Sequence, residues 1–284
     1  MRACLMLISE QQTLTQAQQK AATEAAYRAR RKARKHELVE LHKAVVAAEN
    51  AKKPKTPFLI AFRSRRLRRD GIVETLPQEF ARILKACEEL ITNKKRFPAL
   101  YAWGGDGVNN IQCRTNIARV LACILVNTDL IGGRIGEPTE AGIKTISWDQ
   151  VQEDYALRFG EFIAPKSFAK ALKYLRRAGY LHCERINVNV DEEEGAVRSA
   201  PAYKQLTERF FSDLKVVRYP NIVELILATR KRQESKGLRF KWLSFRDIAK
   251  KVQEIYNGKK LDGYAEATAS IFQAFSPTPA FTPH

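Results

Sequence analysis

The residue pattern predicts a mainly α protein of the α+β class, built on a winged helix-turn-helix domain with a basic helical N-terminal extension. Three observations predict it. Between Ile111 and Leu214 the order is helix, helix, helix and then two strands joined by a turn. The third helix, inside PKSFAKALKYLRRAGYL (Pro165–Leu181), carries three lysines and two arginines and no acid. The whole chain has a net charge of +18, from 49 Lys and Arg against 31 Asp and Glu, a field that attracts polyanions, nucleic acid before anionic membrane. With 284 residues, 45% of them hydrophobic, there is material for one large or two modest cores. The expected divisions are a basic extension or arm (1–70), the winged-helix domain (75–215), a C-terminal helical module that fits a second, weaker winged-helix copy (216–275), and a disordered tail (276–284).

Each element has a local reason. Ser9 to Asn50 is rich in Ala, Gln, Lys, Arg and Glu without Pro or Gly, so it favours helix. Its apolar residues are sparse before Leu38, Val39, Leu41, Val45 and Val46, which predicts an exposed, partly frayed helix. KKPKTP (Lys52–Pro57) ends it, because proline cannot continue the hydrogen-bond ladder. FRSRRLRRDG follows, and its Arg63, Arg65, Arg66, Arg68 and Arg69 read as a phosphate-contacting arm or a solvated linker. LPQEFARILKACEELI places Leu76, Phe80, Ile83, Leu84, Cys87 and Ile91 at helical spacing. YAWGGDGVNN (Tyr101–Asn110) is a turn cluster, Ile111 to Ile131 a helix, and GGRIGEPTEAG a glycine-punctuated loop. IKTISW is β-prone and leads into Ser147, which with Gln150 forms a capping box for a helix reaching about Arg158 and stopping at Phe159-Gly160. Pro165 suits a first helical turn, and Gly179 suits a left-handed stop after Ala178. Tyr180 to Val190 and AVRSAPAYKQL read as strands around a DEEEG turn. PNIVELILATRKRQESKG and LSFRDIAKKVQEIY, the latter opened by Ser244 with Asp247 three residues on, read as helices.

The third helix of the trio has two faces. At 100° per residue Phe168, Ala171, Leu172 and Leu175 share the core face, while Lys166, Lys170, Lys173 and Arg177 form a stripe opposite. Ser167 and Tyr174 flank the stripe, and Arg176 borders it on the other side. From Phe162 to Cys183 there is no Asp or Glu. A solvated face usually mixes signs, since like charges at i, i+4 cost a few tenths of a kcal/mol each. In a helix-turn-helix the second helix of the turn enters the major groove with its N-terminal residues toward the bases. That places Lys166, Ser167, Lys170 and Lys173 nearest base edges and Tyr174, Arg176 and Arg177 nearest phosphates. The acids from Asp191 to Glu194 would be repelled by a duplex, so the hairpin tip is expected to point away from it or to meet a protein.

Enzyme chemistry lacks its constellations. HELVELH (His36–His42) spaces its histidines six apart, where a zinc-binding helix needs i, i+4. WGGDG lacks the Gly-Lys-Ser/Thr of a phosphate loop, and the four histidines include no His-x-His. Five cysteines, Cys4, Cys87, Cys113, Cys123 and Cys183, lie far apart without C-x-x-C, which argues for free thiols rather than disulfides or a cysteine zinc site. No catalytic residue, cofactor or metal is expected. No run approaches the roughly 20 apolar residues of a membrane span, and MRACLMLI is too short for a signal-peptide core, so a cytoplasmic protein without membrane contact is expected.

Three stretches resemble the RepA-type replication initiators of plasmids in the FII incompatibility group and its relatives. KSFAKALKYLRRAGYLHCERI is similar to that family's basic helix, glycine-hydrophobic stop and strand; SAPAYKQLTERFFSDL to its returning strand and helix; and RKRQESKG with LSFRDIAKKV to its basic-glycine linker and helix. The long basic N-terminal extension departs from the family pattern. The resemblance implies a bacterial protein that binds duplex DNA at a plasmid origin and recruits host replication proteins, without catalysis of its own. The residues alone support a basic winged-helix DNA binder. They leave open a winged-helix transcription regulator and a basic RNA-binding protein.

Overall fold

A computed structural model of the chain describes residues 2–52, 55, 57–103, 105–191, 196–250, 252–254 and 256–258. It is mixed helix and sheet, 58% helical and 15% strand, with an N-terminal helix. Helix α1 runs Arg2–Lys52, 51 residues, or about 75 Å at 1.5 Å per residue. A short antiparallel hairpin follows, β1 (Arg65–Leu67) with β2 (Val73–Thr75). Then come α2 (Glu79–Glu88), α3 (Pro98–Trp103), a 3-10 turn (Asp106–Asn109) and α4 (Ile111–Leu125). A second small hairpin, β3 (Gly136–Pro138) with β4 (Ile143–Thr145), leads into α5 (Trp148–Phe159) and α6 (Pro165–Arg177). The long hairpin β5 (Leu181–Asp191) and β6 (Ala196–Leu206) follows, then α7 (Glu208–Leu214) and α8 (Pro220–Glu234).

The sequence signals at α5 and α6 act as their chemistry requires. Ser147 Oγ accepts from the Gln150 amide and the Gln150 side chain accepts from the Ser147 amide, a complete capping box. Pro165 takes the first turn of α6. Gly179, at φ 71°, turns the chain so that the Tyr180 amide closes on Leu175 O at 2.9 Å. The main core packs α2, α4, α5 and α6 around Ile83, Leu84, Ile117, Leu121, Ile124 and Leu175, all fully buried. Residues 133–135 lie against the edge of β6 in an isolated antiparallel bridge: Ile135 donates to Lys204 O at 2.8 Å, and Leu206 to Gly133 O at 2.8 Å.

Four expectations change. The N-terminal helix is no loose extension over its second half: Leu38 and Val39 are buried with Ile60, Leu67, Ala156 and Leu157 in a second cluster. His42 Nδ1 lies 2.7 Å from Leu157 O, and α1 rests on α5. The arginine segment is no arm, because it forms the β1–β2 hairpin, and the expected 70/75 division runs through that hairpin. The long helix from Ile111 stops at Leu125, six residues early. Asn127 turns back to donate to Cys123 O at 2.9 Å, and Asp129 accepts from the amides of Ile131 and Gly132 at 3.1 Å each. The glycine-punctuated loop contains β3.

The C-terminal third does not stand apart as a second winged copy among the described residues. Residues 245–250, 252–254 and 256–258 are helical, and Ile248, Ala249, Val252 and Tyr256 pack on Ile186, Val188 and Val190 of β5. Tyr203 Oη donates to Leu243 O at 2.9 Å, tying the same segment to β6. The expected disordered tail (276–284) and all but the first residue of the acidic hairpin tip lie outside the described residues.

Candidate nucleic-acid interface

Helix α6 is held from three sides. Phe168, Ala171, Leu172 and Leu175 face the core, α4 packs along it, and Trp148 meets Phe168 edge-on with centroids 6.0 Å apart. At its C-terminal end Tyr180 is buried and donates to Asp213 Oδ2 at 2.5 Å. Burial first, and then the Asp213 carboxylate, push the Tyr180 phenol well above its ordinary pKa. These contacts fix the rotation of the helix about its axis and therefore which residues it presents outward.

Lys166, Lys170, Lys173, Arg176 and Arg177 are presented outward, all exposed. None of the five makes an ion pair among the described residues. The acid next to the helix start, Glu161, turns away to Arg119 at 2.6 Å. Ser167 is half-buried and lines a groove between α6 and the start of α4 with Lys170, Gln112 and Asn116. The turn cluster before α4 closes over the other flank. Gly107 lies against the Tyr174 hydroxyl so closely that any Cβ there would clash, and Lys170 Nζ sits 5.7 Å from the Tyr174 ring centroid.

Tyr174 is consequently corrected: it is 7% exposed, part of the core under the 101–110 turn, and not available on the stripe's edge as helical spacing alone placed it. The arginine cluster is corrected too. Arg66 reaches Asp154 at 3.4 Å and Asn127 Oδ1 at 2.9 Å. Arg68 pairs with Glu74 at 2.7 Å and Arg69 with Glu153 at 2.5 Å. Arg65 stacks over Phe58 at 4.5 Å and donates to Leu59 O at 3.3 Å. Of these five arginines, Arg63 alone is exposed and without an ion pair among the described residues. The hairpin rests on α5, so the structure brings the α6 cations together but does not bring the arginine cluster to them.

Three buried charged residues went unread in the sequence. Arg158 of α5 is 3% exposed and donates to Ala61 O at 2.5 Å, Arg63 O at 3.3 Å and Arg65 O at 2.9 Å. Asp129 is buried between Arg230, its close partner, and Arg134 at 3.4 Å. Lys204 of β6 is 3% exposed, donates to Ile146 O at 2.6 Å and lies 5.1 Å from the Trp148 ring centroid. Burial lowers its pKa to about 8. The available signal for Lys204 was strand alternation, since it stands two residues before buried Leu206 on the inward face. Arg158 and Asp129 had no comparable signal.

Among the described residues no group of three or more His, Cys, Asp or Glu is placed to hold a metal ion, and no helix is long and apolar enough to cross a membrane. No protein-family model, characterised protein or solved structure matches the chain.

Proposed function

We propose that the chain binds duplex DNA through α6, acting as the recognition helix of a winged-helix arrangement. In that reading α4, α5 and α6 are the three helices, residues 133–135 the first strand, and β5–β6 the wing. The observation that carries it is the grouping of charge: five exposed cations share the outward face of α6, none of them pairs with an acid among the described residues, and they repel one another. A phosphate backbone supplies the missing negative charge. Lys166, Ser167, Lys170 and Lys173 occupy the part of the helix that meets base edges, with Arg176 and Arg177 toward phosphates. The resemblance of this region to RepA-type initiators makes the biological role initiation of plasmid replication, with the duplex at an origin and host replication proteins as partners, and no catalysis of its own.

The test is binding of the Lys166→Ala/Lys170→Ala/Lys173→Ala variant to the origin duplex by fluorescence anisotropy. Loss of specific binding and of plasmid maintenance, with an unchanged melting temperature, is expected. Unchanged affinity sinks the reading. Retained replication alongside lost promoter binding would assign a transcription regulator, and tighter binding to structured RNA at equal salt would assign an RNA-binding protein.

A further inference from the structure

The basic half of α1 has a role that the DNA-binding reading of α6 does not supply, and the inference below rests on that reading. Residues 28–36 of α1 form one wall of a cleft of about 630 Å³, and Ala164 and Pro165, the start of α6, form part of the other. The α1 wall carries Arg28, Arg31, Lys32 and Lys35. The cleft contains a single carboxylate, Asp149, already shared between Arg31 and Lys35. Arg28 and Lys32 lie one turn apart on the same side of α1, and both are exposed. Among the described residues Arg28 pairs with Glu24 of its own helix at 3.0 Å, with both side chains more than half exposed, a pair weak enough to exchange for a phosphate. Lys32 makes no ion pair among the described residues. Burial, and then the neighbouring Arg31, push the Lys35 ammonium below its ordinary pKa.

The geometry of a major groove decides what such a cleft meets. A helix lying in the groove is flanked on both sides by phosphate backbones about 12 Å apart, so whatever adjoins the N-terminal end of that helix faces a backbone strand. We infer that Arg28 and Lys32 of α1 grip the phosphodiester backbone of the same duplex, beside the N-terminal end of α6. This gives α1 the phosphate-contacting task that the sequence had assigned to the arginines of the β1–β2 hairpin.

The test uses the full chain and a mixed-sequence duplex, with affinity measured across a salt series. Each phosphate contact contributes about 0.9 to the log–log slope, so Arg28→Gln/Lys32→Gln is expected to lower the slope by about 1.8 and Lys32→Gln alone by about 0.9. The fall in affinity between about 50 and 200 mM salt then becomes about tenfold smaller for the double variant. Arg28→Lys, which keeps the charge, is expected to retain the slope, and far-UV circular dichroism to stay unchanged in all three. A wild-type slope in the double variant, with the α6 triple variant losing slope, overturns the α1 contact and leaves α6 in place. Wild-type slopes in both overturn the two together. A wild-type duplex slope with lost binding of a Glu-rich amphipathic peptide makes the cleft a peptide site and overturns the inference.

Discussion

Single residues decide the chemistry of the core more sharply than composition indicates. Lys204 is a buried ammonium that donates to Ile146 O at 2.6 Å and lies beside an indole, and its pKa falls to about 8 from 10.5. The unfolded chain, with the higher pKa, binds more protons between about pH 8 and 10.5. This group therefore makes the fold more stable as pH rises through that window. Cys87 and Cys123, fully buried, act in the opposite direction. Burial raises their pKa, so the folded thiols stay protonated where unfolded ones ionise, above about pH 8.5. The stability of the wild type relative to Lys204→Met isolates the lysine, and urea unfolding is expected to show that difference rising by about 1 kcal/mol between pH 8 and 9. A flat difference would mean that Lys204 is not held in a medium that disfavours its charge. Tyr174 teaches the same lesson: its place on the helical wheel is at the edge of the basic stripe, but the 101–110 turn covers it.

At the scale of elements, charged side chains fasten pieces of chain that have little apolar surface of their own. The β1–β2 hairpin has three residues per strand, too few to stand alone in water. Arg158 holds it by donating to three carbonyls of residues 61–65. Arg158→Met removes the shared donor of those three carbonyls. It is expected to cost about 3 kcal/mol or more in chemical denaturation, with faster hydrogen exchange in residues 60–75. Arg63→Ala, on the exposed side, is expected to stay within about 0.5 kcal/mol of wild type. Helix α8 is fastened in the same manner by Arg230, which reaches Asp129 and stacks on Phe240 at 3.6 Å.

Across the whole molecule, the parts that the residue pattern separates are joined. The 75–215 segment bounded by the pattern lacks the hairpin strand whose carbonyls Arg158 needs, and it lacks Leu38, Val39 and Ile60 of the second cluster. It also lacks Arg230, the partner of Asp129. That fragment, expressed alone, is expected to bind a hydrophobic dye and to unfold without a cooperative transition, while a chain spanning 20–258 melts cooperatively. A cooperative melt of the short fragment would restore the sequence-based division.

Much of the fold was legible because it is written locally. The capping box at Ser147, the proline at the start of α6, the left-handed glycine at 179 and the alternation of β5–β6 each act within a few residues. The core face of α6 follows from helical spacing alone. By itself the sequence determined these elements, their order and the acid-free stripe on α6. Only the tertiary structure decided which cations stay available. The partners that neutralise Arg66, Arg68 and Arg69 are Asp154, Glu74 and Glu153, two of them more than 80 residues away. The physical reason is that an ion pair needs separation in space of a few ångströms, for which separation along the chain is no guide. The arginine-rich stretch thus became a neutralised hairpin, α1 became a wall of the main body, and the five exposed cations of α6 were left facing solvent.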